Sequence, residues 1–297
     1  LTSCSARHTT GSSPTSKIGE TDLSELHQTD KMDASSAKLV VDGVTKRFSL
    51  GKGREIQAIA EASFTVEENE ICTILGSSGC GKSTVLRMIA GLETPTTGEL
   101  RLSGSAISGP DRERGMVFQA YTSFDWLTVR GNVEYGMRIN GVPNKERRER
   151  TQKFIELVHL DGFEDAYPSQ LSGGMKQRVA IARTLANDPS LLLMDEPFGA
   201  LDAETRWHMQ ELLVDIAETA NTTMVMVTHD IEEAIYLGDK IVFMSSHPGR
   251  VHKIIVPEFK QGKRYRSKEE VIGLDGYGAL EKDIMRLMQE QGPKVEH

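Results

Sequence analysis

The sequence predicts an α/β fold: a parallel-sheet core, an antiparallel β layer beside it and an α-helical insert. Three observations carry that reading. "GSSGCGKST" at residues 76–84 stands between the apolar "EICTIL" and "VLRMIAGLE", the order strand, glycine loop, helix. "SLLLMDE" (190–196) and "TTMVMVTHD" (222–230) are short, nearly all-apolar runs that fit strands buried on both faces of a parallel sheet, and "AETRWHMQELLVDIAETA" between them reads as the crossover helix. Near the amino end, "KLVVDGVTKRF", "ASFTVEENEICTIL" and "GELRLSG" alternate or run β-branched, as the short strands of a mostly antiparallel layer do.

The other elements follow in chain order. Residues 1–37 are crowded with Ser and Thr and lack apolar periodicity, so a disordered extension is expected, with the fold beginning near Lys38. Between Ser123 and Gln170, "TVRGNVEYGMRIN" and "KERRERTQKFIELVHL" place apolar residues at three- and four-residue intervals, which predicts a helical insert over about 123–187. Residues 38–256 then form the principal domain, and 257–297 a basic, then helical, tail. Its "KQGKRYR" is expected to be a solvated basic face, with lipid headgroups or a membrane protein as the alternative contact.

Composition narrows the function classes. The 297 residues carry enough apolar content for a real core, and the formal net charge of −8 argues against a general nucleic-acid binder. Three cysteines, Cys4, Cys72 and Cys80, do not suggest a disulfide framework, so a reducing, cytosolic compartment is expected. No uncharged apolar run approaches the roughly 18 residues of a membrane span. "LTSC" at 1–4 has the residue types of a lipoprotein cleavage box without an apolar segment ahead of it, so lipid attachment is not expected.

The glycine loop matches G-x-x-x-x-G-K-[ST] with Gly76, Gly81, Lys82 and Ser83, in the strand-then-helix context that separates a phosphate cradle from an ordinary glycine turn. In this reading the backbone of Gly76, Ser77, Ser78, Gly79, Cys80, Gly81, Lys82, Ser83 and Thr84 surrounds the phosphates of a nucleotide at the positive end of a helix. Lys82 reaches the β and γ phosphates, and the Ser83 hydroxyl ligates Mg²⁺. The core is therefore expected to be of the P-loop NTPase, RecA-like type. Such a site needs a carboxylate at the end of a buried strand, and "LLLMDEP" supplies two: Asp195 for the metal and Glu196 for an attacking water. His229 ends the next strand and is expected near the same edge. Cys80 contributes its backbone, and thiol reagents are expected to inhibit by blocking the pocket.

Beyond the cradle, "LSGGMKQRVAIARTLANDP" (171–189), "LLLMDEPFGALD" (191–202) and "THD" (228–230) resemble the signature, the Walker B segment with its D-loop, and the switch-histidine segment of ABC-transporter ATPase subunits. The resemblance covers about residues 38–256 in the family's order, and Gln119 in "GMVFQAYTSFDWLTV" fits the Q-loop glutamine. It implies the ABC ATPase cassette, ATP and Mg²⁺ as cofactors, and a catalytic set of Glu196, His229 and Gln119. It also implies that Gln119 joins Ser83 and Asp195 at the metal, and that Phe48 stacks on adenine where the family more often has Tyr. Ser172, Gly173 and Gly174 would bind the γ-phosphate held by a second cassette, identical or related, with Asp202 at the seam. Met175 replaces the usual glutamine of the signature, as it does in many binding-protein-dependent importers.

"DEPFGALDAETRWHMQ" and "THDIEEAIYLGDKIVFMSSHPGRV" are most similar to the ATPase subunits of nitrate, sulfonate, taurine and bicarbonate importers. This implies permease partners, a solute-binding protein acting indirectly, no nucleic acid, and a peripheral place on the cytoplasmic face of the cell (inner) membrane. The aromatics of "YTSFDWLTVRGNVEYG" (121–136) would form the groove for a permease helix, with an insert-core role for Phe124 and Trp126 as the alternative. "FDWLTV" stands where the family's named members carry "LPWLTV", which implies a groove adapted to a different permease. Three rivals remain: a soluble ABC ATPase acting on DNA or ribosomes, which would carry coiled-coil insertions or two cassettes; an importer subunit for an unrelated solute; and a P-loop kinase or GTPase, which would lack "LSGG".

Overall fold

The computed structural model describes residues 37–291 except 52, 121 and 247. The expected disordered extension lies outside the described residues apart from Ala37, which is buried. Cys4 also lies outside them.

Among the described residues, ten strands, numbered in chain order, form one hydrogen-bonded sheet in the order β5-β4-β1-β2-β10-β9-β3-β8-β7-β6. The parallel core is β9 (Lys240–Ser245), β3 (Ile71–Gly76), β8 (Thr223–Thr228), β7 (Leu191–Asp195) and β6 (Arg114–Val117). The antiparallel wing is β5 (Ser105–Ala106), β4 (Thr97–Leu102), β1 (Leu39–Ser49) and β2 (Glu55–Val66). "EICTIL" is β3 and belongs to the core, not to the antiparallel layer. β10 (Gly249–Ile255), which the sequence reading did not expect, joins the two parts: antiparallel to β9, it also pairs parallel with β2. Its alternation is obscured by Arg250, His252 and Lys253, because a joining strand keeps one face partly in solvent.

Every residue of β3, β7 and β8 is buried, as two covered faces require. Neighbouring side chains then serve different cores. Leu191, Leu193, Val225 and Val227 pack with the wing and with Val85, Leu86 and Ile89 of α1 (Lys82–Ile89). Leu192, Met194, Met224 and Met226 pack on the opposite face beneath the remaining helices.

Those helices are α2 (Val129–Ile139), α3 (Asn144–Leu157), α4 (Gly173–Leu185), α5 (Ala203–Ala220), α6 (Ile231–Leu237), α7 (Lys268–Ile272) and α8 (Tyr277–Glu290). The loop before α2 is held by Asn132, fully buried, whose Oδ1 accepts from the Phe124 amide at 2.7 Å while its Nδ2 donates to the Phe124, Leu127 and Thr128 carbonyls. Arg183 of α4 donates to the Thr122 carbonyl and hydroxyl at 2.6 and 2.7 Å and lies 5.0 Å from the Phe124 ring centre. Phe124 is thus half-buried against Tyr135, whereas Trp126 is 72% exposed.

The segment after residue 256 is not a free basic tail. Val271, Tyr277 and Ile284 are buried in the helical-side core. Lys260, 2% exposed, donates to the Tyr236 and Gly238 carbonyls at the end of α6, at 3.0 and 2.9 Å. Arg264 pairs with Asp239 and Arg266 with Asp215, so within "KQGKRYR" Lys260 and Arg264 meet the chain's own carbonyls and carboxylates, while Lys263 and Arg266 keep the solvent exposure expected of a solvated face.

Candidate nucleotide-binding site

The chemistry-bearing residues gather because their strands are neighbours. In the order β3, β8, β7, β6 the register pairs Leu75 with Thr228, Val227 with Asp195, and Met194 with Val117. The loops leaving the carboxyl ends of these strands therefore start in one row, which brings the cradle, His229, Glu196 and Gln119 together.

In the cradle, Gly79 and Gly81 have φ of +80° and +96°, backbone that side-chain-bearing residues rarely adopt. Behind it the sheet presses close. A β-carbon on Gly76 would lie 2.6 Å from the Met244 carbonyl oxygen, and one on Gly249 of β10 would lie 2.0 Å from that of Cys80. Lys82 is 4% exposed and donates to the Gly76 and Ser77 carbonyls at 2.9 and 3.1 Å.

Side-chain caps are present on some of the described helices and absent from α1, α3, α7 and α8. Thr128, Ser172, Asp202 and Asp230 cap α2, α4, α5 and α6 with their side chains. Gly81 offers α1 none, and no acid stands in its first turn, so the amides there face the cradle as donors. That arrangement fits a phosphate. The Ser83 hydroxyl donates to Asp195 Oδ1 at 2.8 Å, a pair of hard oxygen ligands that fits Mg²⁺.

Glu196 is the hub. Its Oε2 lies 3.2 Å from His229 Nδ1 and 3.5 Å from Gln119 Nε2, and its Oε1 lies 4.0 Å from Lys82 Nζ. Its φ of +45° is left-handed for a residue with a side chain, a strain of about 1–3 kcal/mol that the amide's bond to the Val227 carbonyl at 3.0 Å helps to hold.

Ser172 caps α4 by accepting from the Met175 amide at 3.3 Å. Gly174 is small for a packing reason: its β-carbon would lie 2.3 Å from Thr205 Cγ2 on α5. Asp202, exposed, accepts from the Thr205 amide, which holds its carboxyl below the usual carboxylate range. Phe48 lies on β1 opposite Ile56, with the Lys46 ammonium 4.8 Å from its ring centre. Ile59 and Ala58 of the neighbouring strand touch the cradle at Gly81.

Burial stands against one expectation, that thiol reagents inhibit at Cys80. Cys80 is fully buried, and burial pushes its thiol pKa up. The sequence reading also missed Thr228, Gln210 and Glu233, which form a buried polar group behind His229. Glu233 reads in sequence as an ordinary acid in the first turn of a helix. A cavity of about 650 Å³ lined by Glu67, Glu70, Asp239, Lys260 and Arg264 lies at the amino ends of β3 and β9, away from this row.

Comparison with known proteins decides the family. The ABC transporter profile matches residues 59–199. An uncharacterized ABC transporter ATP-binding protein of Methanocaldococcus jannaschii, MJ0412, is 50% identical over 225 residues, 76% of this chain and 84% of that protein. The chain belongs to the ABC-transporter ATPase family. It is 48% identical to the aliphatic sulfonates import ATP-binding protein SsuB of Bacillus cereus, over 72% of this chain and 84% of that one. It is 45% identical to the nitrate import ATP-binding protein NrtD of Synechocystis, over 75% and 86%. The cassette MJ0796, solved as a post-hydrolysis dimer with ADP and Pi, superposes with a TM-score of 0.64 at 33% identity, covering 73% of this chain and 98% of that one. This ABC cassette is accordingly an ATP-binding, ATP-hydrolysing enzyme with a P-loop core. Among the described residues, no helix is long and apolar enough to cross a membrane.

Proposed function

We propose that this cassette is the energy-coupling subunit of a binding-protein-dependent importer for a small anion such as a sulfonate, nitrate, taurine or bicarbonate. The observation that carries the hydrolytic part is the convergence of His229, Gln119 and Lys82 on Glu196. The names of the sulfonate and nitrate relatives support the importer part.

In this reading Glu196 takes the proton of the attacking water, Lys82 offsets charge developing on the γ-phosphate, and His229 donates to it. Ser83, Asp195 and Gln119 would hold Mg²⁺, which would supply charge neutralisation at the phosphates. Phe48 offers a face to adenine. The amides of Gly173 and Gly174, beside Ser172, form an anion site that points to the nucleotide of a second cassette, with Asp202 at the seam. Two cassettes pair head to tail, and the shelf around Phe124, Trp126 and Tyr135 receives a permease segment at the cytoplasmic face of the membrane.

The test is the mass of a Glu196→Gln variant by light scattering, with and without ATP and Mg²⁺. Blocking hydrolysis should trap the ATP sandwich, so mass should double only with nucleotide. ATP binding without any trapping, with the permease present, sinks the reading.

A further inference from the structure

Behind His229 lies a buried carboxylate to which the site reading gives no task. Glu233, on the first turn of α6, is 6% exposed. Its Oε2 accepts from the Thr228 hydroxyl at 2.6 Å and its Oε1 from Gln210 Nε2 at 3.1 Å. The Thr228 oxygen also accepts from the Asp230 amide at 3.0 Å, so one hydroxyl bridges the residues on either side of His229. Arg206 lies 4.0 Å from Glu233 Oε1 and donates to the carbonyl of Leu201, the residue before Asp202, at 3.0 Å. Gln210 and Arg206 both stand on α5, the helix that Asp202 caps.

The side-chain cap of α6 does not depend on this acid. Asp230 already caps α6 by accepting from the Glu233 amide at 3.1 Å. Burial raises the Glu233 pKa, and Asp230 adds to the rise, against Thr228, Arg206 and Gln210. An apolar side chain would fill the space without that penalty. What the carboxylate adds is a pair of acceptors that binds two elements at once, in a setting where charge-assisted hydrogen bonds are short and strong.

We propose that Glu233 is a positioning residue that ties the His229 turn to the Asp202 turn, so that the group facing the γ-phosphate and the group facing the partner cassette keep a fixed spacing. The proposal rests on the reading that His229 and Asp202 serve ATP hydrolysis between paired cassettes. Glu233 touches neither substrate nor metal. Loss of its carboxyl leaves the Gln210 amide and the Thr228 hydroxyl without their acceptor, and the His229 turn is free to shift.

The test compares Glu233→Ala, Glu233→Gln and His229→Ala in the full chain. It measures hydrolysis at saturating ATP, affinity for a fluorescent ATP analogue, and Tm. Glu233→Ala should lower kcat about tenfold or more, as small misplacements do, while nucleotide affinity stays within about twofold because the cradle is untouched. Glu233→Gln can accept from Gln210 and donate to Thr228, and should recover most of the loss. A normal kcat in Glu233→Ala beside an inactive His229→Ala overturns the proposal and leaves the site reading intact. A normal kcat in His229→Ala overturns the site reading itself. Parallel loss of affinity, kcat and Tm in both Glu233 variants assigns the residue to folding alone and also overturns the proposal.

Discussion

The Ser83 hydroxyl donates to Asp195 Oδ1 at 2.8 Å although 112 positions separate the two residues. Ser83 stands on the first turn of α1 and Asp195 ends β7, so each is carried by an element packed into the same core. In the proposed Mg²⁺ site these two hard oxygens would be the protein's ligands, and they stand on rigid supports whose spacing does not depend on a loop.

Asp195→Asn keeps the shape and removes the charge. We expect the Mg²⁺ concentration for half-maximal hydrolysis to rise and kcat to fall about 10²-fold, comparable to losing one transition-state contact. A Mg²⁺ titration of ATPase activity checks this; an unchanged Mg²⁺ dependence removes the pair from the metal site.

Gly174→Ala drives a methyl into Thr205 Cγ2, 2.3 Å away. Overpacking of this kind costs about 1–3 kcal/mol, and here it pushes α4 away from α5. The expected results are a lower Tm and a weaker ATP-trapped dimer in the Glu196→Gln background. Thr205→Ser removes Cγ2 and should restore both; no recovery in the double variant would place the role of Gly174 elsewhere.

Cys80 should be inert in the folded chain. In a Cys4→Ser background, a disulfide reagent should label neither Cys72 nor Cys80 until denaturant is added, because both are buried and burial raises both thiol pKa values. Fast labelling with loss of ATP binding would reinstate the opposite expectation.

Lys260 gives the segment beyond residue 256 a pH signature. Burial lowers its pKa from 10.5 to about 8, so between those values the unfolded chain holds a proton that the folded chain has released. The contribution of this group to stability is therefore flat below about 8 and rises as pH climbs toward 10.5. The Tm difference between wild type and Lys260→Met, followed across that window, should move in favour of wild type; a constant difference refutes the burial.

Ile284→Ala should cost about 2–5 kcal/mol as a core truncation, while Met285→Ala, at an exposed site, should be near neutral. Urea unfolding of the two variants checks that α8 is part of the folded body; equal, small effects would make it a loose appendage.

The sequence was informative wherever one residue type answers one local demand. The cradle glycines, the all-apolar β7 and β8 and the acids at the end of β7 announced themselves because backbone conformation and double-sided burial leave few alternatives. Features that depend on what lies across a gap were hidden. Nothing along the chain says that Gly174 faces Thr205, or that Lys260 reaches the end of α6. Glu233 was hidden because an acid on a helix's first turn is unremarkable until its buried partners are seen. β10 was missed for a related reason: its strand character comes from being wedged between β9 and β2, not from its own pattern. "HPGRV" counted only as a likeness, and the close approach of Gly249 to the cradle supplies a physical cause for its glycine.

That close approach has a consequence for how the cassette meets ATP. With the Gly249 backbone against the Cys80 carbonyl and Gly76 against that of Met244, the curve of the loop is cast by the sheet at its back, not by what enters from the front. The entropy of ordering the loop is spent during folding, and little of it is left to subtract from affinity. A mould of fixed shape that touches only phosphate reads the number and placement of phosphoryl groups and is blind to the base. On the proposed role of Phe48, preference for adenine over guanine would be set on the wing, at the face of that ring.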